Sequence, residues 1–188
     1  WVMLASLLLW FLLGYFNWVP FDWLYQVRWY SLAGAFTLGI LYTLWAVLPH
    51  PATGSSLVTE LYLGRLENPQ YAGGRIDAKM WLYLIGAVML ELHVVSFTAH
   101  HYSIFGEQAS AGYFLSALML SYFVFDYLTF ERVHLYTYDL FAEKVGFKLG
   151  WGCLVFYPYF YSIPLWSTSD LSGSGTPTWA LVLSVVIF

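Results

Sequence analysis

Long apolar runs separated by polar connections dominate the chain. A helix that crosses a bilayer needs about 20 mostly apolar residues. Five runs approach this length, namely residues 1–18, 29–49, 80–99, 113–130 and 147–166. A sixth, shorter run covers residues 179–188. We therefore predict an all-α fold, a multi-pass transmembrane helical bundle with five spans and a truncated sixth. We expect residues 1–188 to form one transmembrane domain and to be a fragment of a longer membrane protein.

Composition and charge narrow the class of protein. Only 10% of the residues are charged and 60% are hydrophobic, whereas a soluble domain usually carries about 25% charged residues. An ordinary soluble domain and a disordered chain are therefore excluded. The net charge of −4, without a basic patch in the sequence, argues against a nucleic-acid partner. The single cysteine, Cys153, excludes an internal disulfide framework.

The positive charges predict how the chain is oriented in the membrane. Six of the seven Lys and Arg residues lie in the connections 50–79 and 131–146 or at the helix edge after the second connection, and the seventh is Arg28. Because cytoplasmic loops are enriched in Lys and Arg, these two connections are predicted to share the cytoplasmic side. We expect an integral multi-pass membrane protein in contact with membrane lipid.

Two carboxylates within the predicted spans are candidate functional groups. Glu91 lies near the middle of the third span, and Asp126 lies nearer the end of the fourth. A carboxylate in a bilayer is costly unless it is paired, protonated or facing a wet cavity. Either residue could line a pocket or handle a proton. The alternatives are a helix–helix hydrogen bond for Glu91 and snorkelling toward Arg132 for Asp126.

The histidines do not form the pattern of a membrane metal enzyme. His93 and His100 are seven residues apart and share one helical face. However, the five histidines include no H-x-x-x-H motif followed by paired H-x-x-H-H boxes, which a membrane desaturase uses to hold two irons. We therefore expect no metal site and place His100 and His101 at the membrane interface.

Aromatic residues concentrate in the fifth predicted span. Pro158 lies in the middle of this span and predicts a kink, while Tyr157 and Tyr161 share one helical face. An aromatic helix face of this kind can bind a flat apolar ligand and donate a hydrogen bond to it from a tyrosine hydroxyl. A helix that only packs against its neighbours through aromatic residues would have a similar sequence. The preceding segment, 131–147, mixes hydroxyls and carboxylates, which suit the polar end of a lipid-like ligand or a solvated interfacial loop.

Short motifs along the chain resemble those of one family. Gly64, Arg65, Asn68 and Pro69 match a Gly-Arg-x-x-Asn-Pro-Arg signature, with Gln70 replacing the final Arg. Further matching positions are Glu60 (where Asp is usual), Asp77, Lys79, Asp126, Glu131, Thr137, Asp139, Gly146, Gly150, Gly152, Pro158, Tyr161 and Ser162. Over residues 54–166 the chain resembles the sterol reductase family, which includes delta-14, delta-7 and delta-24 sterol reductases and the membrane domain of the lamin B receptor.

The resemblance implies an enzyme that uses NADPH to saturate a sterol carbon–carbon double bond in sterol biosynthesis. It implies that the NADPH-binding segment lies beyond residue 188 and that the fragment alone is inactive. It also implies the endoplasmic reticulum in a eukaryote or the inner membrane in a bacterium. The family's suspected tyrosine proton donor aligns with Phe123, a neighbour of Tyr122.

Reduction of an isolated double bond favours protonation before hydride addition, which requires a neutral acid in a dry pocket. The candidate catalytic residues are Tyr122, Tyr157, Tyr161, Asp126 and Glu91. The candidate substrate-binding or motif residues are Glu60, Arg65, Asn68, Thr137 and Asp139. Three alternatives stay open. One is a non-catalytic membrane scaffold or sterol-binding protein of the same family. Another is a small transporter with Glu91 and Asp126 along an ion path, and the third is a membrane methyltransferase, which would bind S-adenosylmethionine.

Overall fold

The computed structural model describes residues 1–172 and 176–188. Its α-helices are α1 (Val2–Tyr15), α2 (Trp23–Gln26), α3 (Arg28–Val47), α4 (Leu57–Leu63), α5 (Ala78–Phe105), α6 (Ala111–Thr129), α7 (Glu131–His134), α8 (Tyr138–Phe141), α9 (Phe147–Trp151), α10 (Ile163–Thr168) and α11 (Thr178–Ile187). A 3₁₀ turn (Gly106–Gln108) follows α5, and a π-helical segment (Gly152–Phe160) follows α9. Strands β1 (Gln70–Tyr71) and β2 (Ile76–Asp77) form one antiparallel hairpin. The helical fold class is confirmed.

Three of the described helices are long and apolar enough to cross a membrane. They are Arg28–Val47, Ala78–Gln108 and Ala111–Thr129. The apolar helices Val2–Tyr15 and Thr178–Ile187 are shorter. At about 1.5 Å per residue, the 14 residues of α1 extend about 21 Å, against about 30 Å of hydrocarbon.

Side-chain caps define where several helices begin. The hydroxyl of Ser56 accepts a hydrogen bond from the N–H of Thr59 at the start of α4, and Ser110 caps α6 in the same way. Asp77 caps α5 by accepting from the N–H groups of Lys79 and Met80. These caps satisfy backbone donors that have no partner within the helix.

Helix α5 is the centre of the bundle. It packs against α6, the π-helical segment and α2, while α3 packs against α9. Half (50%) of the most apolar stretch of α5 is buried, compared with 22% in α3 and 17% in α6. Leu90, Val94 and Phe97 of α5 form the main core with Val124 and Leu165. A helix that is apolar all round belongs in such a position.

The predicted fifth span is not one continuous α-helix. Residues 147–166 form α9, the π-helical segment and the beginning of α10. In an i→i+5 ladder the carbonyl of Cys153 would pair with the N–H of residue 158, which proline lacks. The backbone of α5 comes close at this point, because a Cβ on Gly86 would lie 2.6 Å from the Cys153 carbonyl oxygen. The proline therefore sits in a π-helical distortion that packs against a glycine.

The two polar connections, loop A (residues 50–79) and loop B (residues 131–146), lie against each other. The N–H of Val145 donates to the carbonyl of Leu66 at 2.9 Å. Gly64 ends α4 with a φ of +100°, and a Cβ there would lie 2.5 Å from the backbone of Val145. The loops therefore share one side of the bundle, in agreement with the charge pattern.

Candidate functional site

Glu60 and Arg65 form a buried ion pair in loop A. Arg65 contacts one carboxylate oxygen of Glu60 through Nε at 2.8 Å and through Nη2 at 2.7 Å. The other oxygen accepts from the N–H and the hydroxyl of Thr53 at 2.6 and 2.8 Å. The Glu60 side chain is only 2% exposed. Its charge is stable there because both carboxylate oxygens have hydrogen-bond donors.

Arg65 also joins loop A to the end of α3. Its Nη1 donates to the carbonyl oxygens of Val47 at 3.2 Å and His50 at 2.5 Å. A cation at a helix C-terminus satisfies carbonyls that lack helical partners. The hydrogen bonds from Thr53 and Arg65 lower the pKa of Glu60 from its ordinary 4.5 to about 2. Every observed contact of this pair serves the scaffold.

Asn68 holds the N-terminal cap of α5. Its Nδ2 donates to one carboxylate oxygen of Asp77 at 2.5 Å, and Nε2 of Gln70 donates to the same oxygen at 2.9 Å. The other oxygen of Asp77 accepts from the N–H groups of Lys79 and Met80 at 3.1 and 3.0 Å. Burial alone would raise the pKa of Asp77, but these hydrogen bonds lower it overall.

Lys79 and Tyr83 lie one turn apart on α5 and position loop B. The Lys79 side chain is fully buried. Its Nζ donates to the carbonyl oxygens of Asp139 at 3.0 Å, Leu140 at 2.6 Å and Glu143. The hydroxyl of Tyr83 donates to Oδ2 of Asp139 at 3.0 Å. The main chain and the side chain of Asp139 are thus both anchored to α5.

An aromatic cleft opens beside these anchors. Its volume is about 250 Å³, and its walls include Phe123 and Tyr127 of α6 and Phe156, Tyr157 and Tyr161 of the fifth-span region. The rings of Phe123 and Tyr161 stack with centroids 5.9 Å apart and planes at 7°. Tyr157 meets Tyr161 edge-on at 5.2 Å and lies 5.7 Å from Tyr127. The cleft presents flat apolar faces and phenol groups together.

One end of the aromatic cleft is polar. Tyr83, Asp139, Glu143 and Lys148 line this end. The ammonium group of Lys148 pairs with the carboxylate of Glu143. The positive charge of Lys148 is therefore already balanced by Glu143. Asp139 lies beside this ion pair and accepts a hydrogen bond from the hydroxyl of Tyr83.

Tyr157 differs from the other phenols of the aromatic cleft. It is only 8% exposed, and within residues 1–172 and 176–188 its buried hydroxyl has no hydrogen-bond partner. Tyr161 is 43% exposed. An unpartnered buried hydroxyl is unfavourable, which makes Tyr157 the phenol with most to gain from a bound ligand.

Of the residues predicted from sequence, the structure brings Tyr157, Tyr161 and Asp139 to the aromatic cleft. Tyr122 is 60% exposed on another face of α6 and packs against Phe188. Asp126 is exposed, and no ion pair joins it to Arg132 in the described parts of the chain. Thr137 is exposed and donates to the carbonyl of His134. Glu60, Arg65 and Asn68 lie in loop A.

Glu91 forms a helix–helix contact. The residue is buried, and its Oε1 accepts from the hydroxyl of Ser121 on α6 at 2.9 Å. Its Oε2 has no partner among the residues that the structure describes. Glu91 does not line the aromatic cleft. These contacts match the structural alternative considered for this residue.

The histidines connect backbone segments. Nδ1 of His93 bonds to the carbonyl of Pro158 at 3.2 Å, and Nδ1 of His101 bonds to the carbonyl of Ser169 at 2.8 Å. His100 bonds to Asp170 at 3.0 Å, and this hydrogen bond lowers the pKa of Asp170. Within the described residues no group of three or more His, Cys, Asp or Glu side chains could hold a metal ion.

Sequence reasoning missed Tyr83. The available signal was its spacing of four residues from Lys79, which places both on one face of α5 near the loop side. That spacing does not identify Asp139 as the partner, because the contact joins residues 56 positions apart.

Comparisons with known proteins agree with the motif resemblance. The sequence model of the Ergosterol biosynthesis ERG4/ERG24 family matches residues 34–185. The Delta(14)-sterol reductase of Neurospora crassa is 30% identical over 114 residues, which are 57% of this chain and 22% of the relative. The Delta(14)-sterol reductase erg24 of Schizosaccharomyces pombe is 27% identical over 112 residues, covering 59% and 26%.

A bacterial protein is also similar. The Delta(14)-sterol reductase of Methylotuvimicrobium alcaliphilum is 27% identical over 133 residues, which are 68% of this chain and 29% of the relative. In each of these pairs the chain spans less than a third of the curated relative's length.

Proposed function

Because the chain belongs to the Ergosterol biosynthesis ERG4/ERG24 family, we propose that it is part of a membrane sterol reductase that saturates a carbon–carbon double bond in sterol biosynthesis. The aromatic cleft carries this proposal, since it combines phenol groups with flat apolar faces. A sterol is itself flat and largely apolar, so it complements such a lining. The relatives named Delta(14)-sterol reductase make a Δ14 double bond the first to test.

The proposal includes five membrane spans and the beginning of a sixth, in the endoplasmic reticulum of a eukaryote or the inner membrane of a bacterium. Residues 147–166 would cross as a broken helix. Broken helices are tolerated within a bilayer where protein covers the irregular backbone. Val155, Tyr157 and Tyr159 of the π-helical segment are buried in this way.

Tyr157 is the proposed proton donor. A phenol is neutral at physiological pH and carries one O–H donor. In the proposed step the double bond uses its π electrons to form a C–H bond with the phenol proton, which leaves a phenolate and a carbocation. Aromatic faces stabilise a nearby cation by about 0.5–2 kcal/mol each, and Phe123 and Tyr161 supply such faces. Water returns a proton to the phenolate after the reaction.

NADPH is the reductant that the family resemblance implies, and it supplies hydride when bound. The aromatic cleft does not fit this cofactor. Its polar end carries the carboxylates of Asp139 and Glu143, and Lys148, the lysine that lines it, is already paired. The negative phosphates of a dinucleotide would be repelled there. The aromatic cleft is therefore assigned to the substrate and its proton.

The test is sterol reduction by the membrane-reconstituted full-length protein of which this chain is proposed to be a part. A sterol with a Δ14 double bond is supplied with NADPH, and the saturated product is measured by mass spectrometry. Tyr157→Phe is expected to lower turnover by about 10²–10⁴-fold with KM largely unchanged, because it removes only the donated proton. Tyr161→Ala is expected mainly to raise KM, because it removes an aromatic face from the cleft. Tyr102→Phe, an exposed tyrosine of α5 outside the cleft, is the control.

Two outcomes would contradict this assignment. Unchanged turnover in Tyr157→Phe would exclude this phenol as the acid. Sterol binding without reduction by the unsubstituted full-length protein would favour the non-catalytic, sterol-binding alternative within the same family.

A further inference from the structure

The carboxylate of Asp139 is held in place more firmly than a loop residue usually is. Lys79 fixes the main chain of loop B by binding three carbonyl oxygens, including that of Asp139. Tyr83 fixes the carboxylate itself through Oδ2. Both anchors come from one face of α5, the most buried helix of the bundle. The carboxylate is therefore preorganised at the polar end of the aromatic cleft.

The second oxygen of this carboxylate is available. Oδ1 of Asp139 accepts no hydrogen bond from any residue in the parts of the chain that the structure describes. Lys148, the cation lining the cleft, is committed to Glu143. Asp139 itself is half-buried. A fixed carboxylate oxygen in such a place is a strong acceptor for a ligand hydroxyl, because hydrogen bonds to charged groups are stronger than neutral ones.

The shape of the aromatic cleft limits what such a ligand can be. Its volume of about 250 Å³ lies below the 300–1,000 Å³ typical of complete small-molecule pockets. It therefore receives one end of a ligand rather than all of it. The remaining lining is mostly aromatic, so that end needs a flat apolar body and a hydroxyl that reaches Asp139.

We infer that Asp139 binds the ring hydroxyl of the sterol substrate and thereby fixes which part of the sterol lies beside Tyr157. This inference rests on the proposed function and adds to it the residue that orients the substrate. Tyr83 and Lys79 are positioning residues in this arrangement. A sterol without the hydroxyl would still contact Phe123 and Tyr161, but it would lose the contact that sets its register along the cleft.

The experiment compares two probes, a Δ14-unsaturated sterol with a 3β-hydroxyl group and the same molecule without that hydroxyl. Dissociation constants are measured with the radiolabelled probes on purified protein in nanodiscs, without NADPH. The unsubstituted protein is expected to bind the hydroxylated probe about tenfold more tightly. Asp139→Ala is expected to bring this ratio close to one by weakening only the hydroxylated probe. Tyr83→Phe is expected to lower the ratio partly.

Matched controls are Glu107→Gln, an exposed carboxylate beyond the other end of α5, and Tyr102→Phe. Neither should change the ratio. Size-exclusion profiles show whether each variant is folded. If Asp139→Ala aggregates, the binding ratio of Tyr83→Phe decides the outcome, because this substitution removes only one oxygen atom. Equal binding of the two probes by the unsubstituted protein, or an unchanged ratio in the deciding variant, would overturn the assignment of Asp139.

Failure of the proposed function gives a different result. Unsubstituted protein that binds neither probe would overturn the sterol reductase proposal together with this inference. Full-length protein that binds both probes with the expected ratio but does not reduce them when NADPH is added would contradict the reductase and support Asp139 as the hydroxyl acceptor.

Discussion

The Glu60–Arg65 pair of loop A and the aromatic cleft both contain residues that resemble functional groups, but their hydrogen bonding differs. In loop A, both carboxylate oxygens of Glu60 have donors, and Arg65 is bonded to Glu60 and to carbonyls at the end of α3. In the aromatic cleft, the hydroxyl of Tyr157 has no partner within the described residues, and one oxygen of Asp139 is available.

This difference separates residues whose polar atoms are all used in the fold from residues that have a polar atom available to bind a ligand. A buried polar group without a partner is costly, and for the hydroxyl of Tyr157, which belongs to a residue lining the aromatic cleft, a bound ligand would supply the missing partner. Groups with complete sets of partners need no such explanation. Substitutions in loop A should therefore affect stability, and substitutions in the cleft should affect turnover and binding.

The largest expected effect comes from moving a hydroxyl within the aromatic cleft. The motif resemblance implies that Phe123 stands at the position of the family's suspected donor, and its ring centroid lies 6.4 Å from that of Tyr157. In a Tyr157→Phe background, Phe123→Tyr is expected to recover at least about tenfold of the lost turnover, because it returns a neutral acid to the cleft. The assay is sterol reduction at saturating substrate. Absence of recovery would show that a hydroxyl at position 123 cannot replace that of Tyr157.

Removal of Arg65 should give the largest loss of stability. Arg65→Ala leaves the carboxylate of Glu60 buried without its cation, and breaking such a pair is expected to lower Tm by roughly 10 °C. The measurement is the fraction of monodisperse protein after heating in detergent. Arg75→Ala, at an exposed position of the same loop, is the control. Equal Tm values for the two variants would contradict the structural role of Arg65.

Substitutions at two glycines distinguish the effect of a steric clash on stability from the effect of backbone strain. Gly64 and Gly74 both have positive φ, +100° and +86°, but only a Cβ on Gly64 would meet other atoms, those of loop B. Gly64→Ala is expected to lower Tm by roughly 5 °C more than Gly74→Ala, since strain is common to both and the clash is not. The same heating assay applies. Similar losses would mean that the loops do not pack as closely as observed.

The smallest expected effect is an acid dependence of stability. The folded-state pKa of Glu60 is lowered from 4.5 to about 2. A lowered pKa contributes stability that is complete above about pH 4.5 and is lost as the pH falls toward about 2. Glu60→Gln should therefore be less stable than the unsubstituted protein at pH 7 and should lose less Tm between pH 5 and pH 3. Parallel pH profiles for the two proteins would show that Glu60 does not contribute this dependence.

Much of the fold can be predicted from local patterns along the chain. Apolar runs near bilayer length predict helices because an apolar backbone segment must satisfy its hydrogen bonds internally. The distribution of Lys and Arg predicted that loops A and B share a side, and the hydrogen bond from Val145 to Leu66 places them in contact. An irregularity of the helix around Pro158 was also predictable, since proline removes a donor wherever it stands in a helix, and the structure has a π-helical segment there.

Only the tertiary structure decided which polar residues meet. From sequence, Glu91, Asp126, Tyr122 and Tyr157 were all candidates, because each combines a polar group with an apolar stretch. Packing of α5 against α6 gave Glu91 a partner in Ser121, while the π-helical segment brought Tyr157 beside Phe123. Tyr83 reaches Asp139 across 56 positions of the chain. Such pairings depend on how whole helices pack, and no local pattern encodes that choice.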